Sequence, residues 1–487
     1  MGRPGEWLIK FRRSRLLVIT AISLSVFTDT FLYTMIVPII PYTLKERVGI
    51  ADGDALKWTS VFLTVFGLTN VLSSPVVGLL ADLTSSRRVL FMLGLLVLGL
   101  STILYWIGRT VAVLIAARAL QGVSATVVWV IGLAIINEVA DPDNLGASLS
   151  WVWSANTLGA LSGPFIGGVL FKYFGYHSVF ILATGLILVD MALRMLMAER
   201  SHSVTRHVSD NASSAEEAQP SEERRLLNSS DQLVESFEGT NTTHGSYTTF
   251  NSDRNSGGES KPTPAPSRSS YKLLLCYPRI ATLAVSSAVN GVIFSAFETI
   301  LPLYSVQLFH VDSARVGLFF LALSGPMLIS PLFGNLTDRY GTKWTAVFST
   351  ILLGVATILM GTVNHNDIFN QVLLGGLLFL CGVGCTGQRV VMSTETGLAL
   401  QALVNEPSLA EAELRVENLT GQAYGVLGTA SGIGVTLGPV LSGWLRAQSS
   451  WMTTVTLLGF VAIALAIPSV MYTGGRLRCK GKCRSAD

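Results

Sequence analysis

Three charged side chains sit where charge is costly. Asp29 lies in the run FTDTFLYTMIVPIIP, Arg118 in LIAARALQG and Arg389 in TGQRVV, all inside long apolar stretches. Near the middle of a helix in lipid an arginine costs roughly 2.5–3.5 kcal/mol on insertion scales, and it stays charged at every accessible pH. Arg118 must therefore face a cavity or a carboxylate. A carboxylate held at such depth is a proton-binding candidate. Asp29 lies fourteen residues past Arg15, about 21 Å along a helix and well inside a hydrocarbon core roughly 30 Å thick. A fixed charge at Arg118 that tunes a titrating Asp29 is what proton coupling needs; a purely structural ion pair is the alternative. Arg389 follows Gln388 and is expected to face a central cavity or to pair with Glu298 or Glu395. Asp190 and Arg194, four apart, read as a local helical pair.

Membrane-spanning helices must hold these groups. The chain has 487 residues, half of them hydrophobic and only 13% charged, against roughly 25% in soluble domains; its mean hydropathy is +0.51. Twelve apolar segments fall near 16–41, 58–80, 88–108, 111–137, 146–170, 177–197, 279–305, 314–335, 344–363, 369–393, 421–446 and 451–472, each close to the ~20 residues a span needs. The first is too long, and lacks the small-residue cleavage site, of a removable signal peptide. Arg12, Arg13 and Arg15, Arg87 and Arg88, Arg339 and Lys343, and the tail from Arg476 onward all fall on one side of an even number of spans. That makes both termini cytoplasmic. Residues 199–275, rich in Ser, Thr, Asn, Glu and Pro, are expected to form a disordered cytoplasmic linker. It would join an N-terminal six-helix bundle (1–198) to a C-terminal one (276–475), with a basic tail at 476–487. The linker carries a dileucine-like run, EERRLL, at 222–227.

A net charge of +3 gives no reason to expect a nucleic-acid partner. Five cysteines show neither zinc-ligand spacing nor a disulfide framework, so no metal is expected. GVGCTG at 382–387 has dinucleotide-like spacing but lies in an apolar span without a βαβ context. No Walker A loop occurs, so ATP is not the expected energy source.

Two copies of one design are visible. Gly159, Gly163 and Gly167 in LGALSGPFIGGVL recur every fourth residue, a helix face bare of side chains that lets another helix come close. Pro164 removes a backbone donor there and is expected to kink the helix. Gly434, Gly438, Pro439 and Gly443 repeat the spacing of Gly159, Gly163, Pro164 and Gly168. Ser74, Pro75, Gly78 and Asp82 recur as Ser330, Pro331, Gly334 and Asp338 at one constant offset. Repeated halves with a site between them at mid-membrane are a common plan for secondary transporters.

These motifs resemble those of the major facilitator superfamily (MFS), and within it the twelve-helix drug:proton antiporters related to vesicular amine transporters and fungal toxin and multidrug exporters. The Gly159–Gly168 stretch resembles the antiporter motif of the fifth helix. GLLADLTSSRR and GNLTDRYGTKW resemble the signature G-x-x-x-D-R-x-G-R-R that follows the second helix of each half. Gly78, Asp82, Arg87, Arg88, Gly334, Asp338 and Arg339 fall on matching positions, while Leu83 and Ser85 stand where Arg and Gly are usual. The resemblance makes these a cytoplasmic gate, the carboxylate accepting from a helix N-terminus and from basic residues. Arg118 and Gln121 match the pattern L-x-x-x-R-x-x-Q-G, and Asp29 and Glu298 match acidic residues of the first and seventh helices. A lysine expected in span two is replaced at about Phe66, and an aspartate expected in span ten at about Val391; both departures argue against monoamines as cargo.

The resemblance implies an all-α membrane protein of the MFS fold, twelve transmembrane helices in two pseudo-symmetric six-helix bundles, without enzymatic activity. It implies export or sequestration of a small amphipathic organic compound in exchange for protons, the halves rocking about the Gly159–Gly168 face. Asp29, Arg118 and Glu298 would carry proton coupling; Gln121, Gln388 and Arg389 would line the cavity. A proton gradient replaces any cofactor, and a monomer in a plasma, vacuolar or vesicular membrane is expected, with cargo, protons and lipid as partners. A nutrient importer or facilitator and a non-transporting receptor are the rival readings.

Overall fold

The computed structural model describes residues 14–36, 39–49, 52–84, 86–196, 270–311, 313–405 and 419–474. Ser85, the EERRLL run and the basic tail lie outside them. Twelve long helical segments organise the rest. In chain order they are α1 Arg15–Ile36, α2 Asp52–Leu83, α3 Arg87–Ile107, α4 Val111–Val139, α5 Leu145–Phe174 and α6 Tyr176–Leu196. Then follow α7 Pro278–Phe309, the broken α8 (Ser313–Ser324 and Ser330–Tyr340 around a 3-10 turn at Gly325–Ile329), α9 Thr342–Leu359 and α10 Ile368–Val404. Last come α11 Thr420–Gln448 and α12, Trp451–Ala464 continued by Ala466–Tyr472. Among the described residues eleven helices are long and apolar enough to cross a membrane. The twelfth, α5, is long enough, and its glycines and serines lower its hydropathy.

Local chemistry sets the helix ends. The side chains of Ser86, Thr110, Asp367 and Ser450 accept the N–H three residues on, at the starts of α3, α4, α10 and α12, satisfying a donor the first turn would leave open. α5 runs through Pro164 as one helix, so the proline does not divide it; the glycine face on its other side holds it against a neighbour.

Burial is inverted relative to a soluble protein. Leu93, Leu96, Leu100 and Ile103 make an exposed apolar stripe on α3, whereas Ser25, Arg118, Asp190, Arg194 and Glu395 are fully buried. That pattern suits a hydrocarbon surround, where polar groups turn inward.

The two glycine faces pack in the same way. On α5, a Cβ added at Gly159 would lie 2.7 Å from Phe27 O and one at Gly163 would lie 2.8 Å from Phe31 O, both on α1. On α11, one at Gly434 would lie 2.0 Å from Ala288 O and one at Gly438 2.6 Å from Val292 O, both on α7. The faces therefore lock α5 to α1 and α11 to α7 inside each half. This corrects the expectation that Gly159–Gly168 forms the rocking surface. Gly168 and Gly443 have nothing within 4 Å and take no part. The halves meet elsewhere, where α2 packs on α11 and α5 on α8.

The last residues of the stretch expected as linker, 199–275, are docked. Tyr271–Cys276 forms a helix with Leu274 buried. Ser270 N donates to Gln422 Oε1, and Tyr271 Oη donates to the Pro75 carbonyl. An apolar side chain and two hydrogen bonds dock a segment whose composition alone reads as solvated.

Candidate functional site

Two carboxylates bridge the halves at one end of the molecule. Asp82, in the last turn of α2, accepts from Gly421 N at 2.7 Å and Gln422 N at 2.8 Å. Asp338, in the last turn of α8, accepts from Gly146 N and Ala147 N, both at 2.8 Å. Both acceptors face the first turn of a helix, α11 or α5, where N–H groups lack intrahelical partners and the dipole favours an anion. Glycine makes the approach possible. A Cβ at Gly78 would sit 2.7 Å from Gly421 O, and one at Gly334 would sit 2.4 Å from Gly146 O. Gly146 and Gly421 share the offset that relates Gly159 to Gly434. Extending that repeat by three turns would have revealed these receiving residues in the sequence.

The two latches differ in their basic residues. Arg87 donates from Nη2 to Asp82 Oδ1 at 2.9 Å, from Nε to Ala81 O at 3.2 Å, and from Nη1 to Glu138. The departures from the signature therefore leave the Asp82 latch intact: Leu83 is exposed, and Arg87 reaches back across the turn. Arg339, which fits the signature, is exposed beside Tyr340 and adds nothing to the Asp338 latch. Arg88 caps the end of α6, donating to Met195 O at 2.7 Å.

Inside the N-terminal half the charges do not meet as expected. Asp29 is only 3% exposed, and its Oδ1 has no hydrogen-bond partner among the described residues. Among the described residues no ion pair joins Asp29 to Arg118; Asp190 and Arg194 bond instead to Ser25, one turn from Asp29 on the same helix. Asp190 and Arg194 form the expected pair, at 2.9 Å, yet both are fully buried. Ser25, one turn below Asp29, donates to Asp190 Oδ1 at 2.6 Å and accepts from Arg194 Nε at 3.0 Å. Arg118 donates to Gln121 Oε1 at 2.8 Å and lies 5.6 and 5.3 Å from the ring centres of Tyr33 and Tyr105. Its Nε and Nη2 have no hydrogen-bond partner among the described residues. Gln121 thus serves Arg118 rather than a cavity. Helical spacing fixes which face a residue occupies, but not which neighbour that face meets.

Between the halves lies a different set. Asn290, Phe294 and Glu298 recur every fourth residue along α7. Arg389 of α10 donates to Asn290 Oδ1 at 3.1 Å and lies 4.5 Å from the Phe294 ring centre and 5.5 Å from that of Trp153 on α5. Glu298 is exposed to solvent, and its charge reaches both Arg389 and, across the divide, Tyr33. Trp153 Nε1 donates to Ser393 Oγ at 3.0 Å, another bond across the divide. Gln388 is buried within its half, accepting from Asn290 Nδ2 at 3.0 Å and donating to Thr350 Oγ1 at 2.8 Å; it is not a cavity residue. Glu395 pairs with Arg279 at 2.5 Å and accepts from Gly474 N, so it is not the partner of Arg389. Residue type and depth alone do not mark Tyr33 or Asn290 as cavity residues; the α5–α10 and α7–α10 contacts do that.

Such an arrangement, two halves latched by repeated carboxylates around a charged central site, has relatives. The sequence profile of the Major Facilitator Superfamily matches residues 22–403. The chain belongs to the major facilitator superfamily. An uncharacterized MFS-type transporter of Schizosaccharomyces pombe is 29% identical to it, over 94% of this chain and 96% of that protein. A synaptic vesicular amine transporter of Rattus norvegicus is 20% identical over 95% and 88%. The crystal structure of the human organic anion transporter MFSD10 (TETRAN) superposes with a TM-score of 0.64 at 15% identity, over 94% of this chain and 99% of that one, which speaks to the fold. This MFS protein is an all-α, multi-pass membrane transporter and not an enzyme.

Proposed function

We propose that this MFS protein is a proton-coupled antiporter that exports or sequesters a small amphipathic organic compound by alternating access. The observation that carries this is Asp29: a carboxylate inside the N-terminal bundle, nearly sealed from solvent, with one oxygen unpartnered. An anion so placed is expensive to maintain, and reversible protonation relieves that cost. Cargo would bind between Glu298, Arg389, Phe294, Trp153 and Tyr33, a site with both charges and several aromatic faces. With the latches shut it would be reached from the opposite end. The latch end is taken as cytoplasmic, because Arg87, Arg88, Arg339 and Lys343 lie there; the membrane would be plasma, vacuolar or vesicular.

A resistance and accumulation screen with and without the protein would supply a cargo. Purified full-length protein in proteoliposomes would then be tested for cargo movement against an imposed pH difference, with a pH dye reporting opposite proton flux. Asp29→Asn is expected to abolish the exchange yet leave the melting temperature intact. Cargo flux that survives collapse of the pH gradient would overturn the reading.

A further inference from the structure

We propose that Arg194 is a positioning residue that ties the charge state of Asp29 to the Asp82 latch through the first turn of α3. The inference rests on the proton-coupled reading above and adds the route. Arg194 has three attachments. It holds Asp190 from Nε and Nη2, at 3.2 and 2.9 Å, and the Ser25 hydroxyl at 3.0 Å. Its Nη1 donates to the Phe91 carbonyl at 2.5 Å, with the guanidinium carbon 3.8 Å from the Phe91 ring centre. Phe91 stands one turn after Arg87, the residue that grips Asp82. Arg88, between them, is bonded to Met195 O, the carbonyl next to Arg194. The last turn of α6 and the first turn of α3 are thus tied twice. Ser25, one turn from Asp29 on α1, is bonded to Arg194, and from Arg194 the route runs through the Phe91 carbonyl and the first turn of α3 to Arg87, Asp82 and Gly421.

The electrostatics supply a two-state element. Facing Asp29 are Ser25 on its own helix and Asp190 and Arg194 from α6; α4 turns its Arg118 to Tyr33 and Tyr105, and α5 brings the neutral Asn156 to the neighbouring Thr30. With Asp29 ionised, one guanidinium is drawn to two carboxylates. A proton on Asp29 leaves Arg194 to Asp190 alone. The pull on the Phe91 carbonyl changes, the first turn of α3 shifts with it, and Arg87 loosens from Asp82.

The test needs no cargo. A cysteine at Ser154, which bonds across the α5–α8 contact to Leu328 O and Ser330 Oγ, introduced where Cys276, Cys479 and Cys483 are replaced by serine and only the buried Cys381 and Cys385 remain, reports opening of the latch end through its rate of reaction with an impermeant maleimide. In the parent, that rate is expected to rise several-fold from about pH 8 to about pH 5, the range in which carboxylates in apolar surroundings titrate, and in Asp29→Asn to stay flat. Arg194→Lys keeps the charge, but one ammonium cannot serve Asp190 and the Phe91 carbonyl together; the pH response is expected to collapse while the melting temperature stays close to the parent's. Arg88→Gln, at the edge of the bundle, removes only the Met195 tie and is expected to reduce the response by about half; it decides the matter if Arg194→Lys does not fold. A parent-like pH profile in both variants, or in Arg88→Gln alone if the other fails to fold, overturns the route. A parent without any pH response overturns it too, while exchange driven by an imposed pH difference would still uphold the antiporter reading.

Discussion

Replacing Asp338 by asparagine isolates one latch. The carboxylate accepts two first-turn N–H groups, each at 2.8 Å, and among the described residues no basic side chain bonds to it. Asparagine retains one acceptor oxygen, turns an NH2 toward the other N–H and loses the charge that the α5 dipole favours. A hydrogen bond to a charged group contributes about 1.5–3 kcal/mol where a neutral one contributes about 1, and the terminal dipole adds up to about 1 kcal/mol. The closed state should lose about 2 kcal/mol, which is about 30-fold in the open-to-closed ratio. Asp82→Asn should cost more, since it also strips Arg87 of a partner at 2.9 Å; about 3 kcal/mol, or over 100-fold, is expected. The two latches use different helix pairs, so their effects should roughly add. The assay is the Ser154→Cys labelling rate, in protein whose Cys276, Cys479 and Cys483 are serines; Cys381 and Cys385 are buried. Labelling must accelerate in the order Asp338→Asn, Asp82→Asn, double variant. Rates equal to the parent's in all three, with folding intact, would refute the idea that these carboxylates hold the end shut.

Other outcomes follow from the same packing. Gly434→Val should lower the melting temperature sharply, because even a Cβ there would stand 2.0 Å from Ala288 O and overpacking is costly; Gly443→Ala, with nothing within 4 Å, should leave it unchanged. Tyr271→Phe should speed Ser154→Cys labelling about fivefold, the value of one hydrogen bond of about 1 kcal/mol. Burial first, and then the Asp82 charge, hold the Tyr271 hydroxyl above its ordinary value of 10.0. The sign is that of a raised group: its contribution is complete below pH 10.0 and lost only above, so the difference between parent and Tyr271→Phe should be flat between neutral pH and that limit. Glu298→Gln should change cargo affinity or preference without changing the labelling rate, since it touches neither latch; a shift in labelling would remove Glu298 from the cargo site.

Much was legible in the chain itself. Apolar runs of the right length mark the spans, because a bilayer has one thickness and only internally bonded helices cross it. The recurring Ser-Pro-Gly-Asp pattern and the paired glycine faces mark two related halves, since a bare face and an acid after a helix end have few other uses at a constant offset. The depth of Asp29, Arg118 and Arg389 followed from counting residues. What the tertiary structure alone decided is which of these groups are neighbours. Arg118 turns to Gln121 rather than to Asp29, whose nearby Ser25 is held by Asp190 and Arg194; Glu395 meets Arg279 rather than Arg389, Gln121 and Gln388 turn into their own bundles, and the glycine faces bind helices within a half instead of between halves. The physical reason is that a sequence fixes a helix's length and the angle between its side chains, whereas its rotation and its partners are set by packing of the whole bundle, through contacts between residues often more than a hundred positions apart.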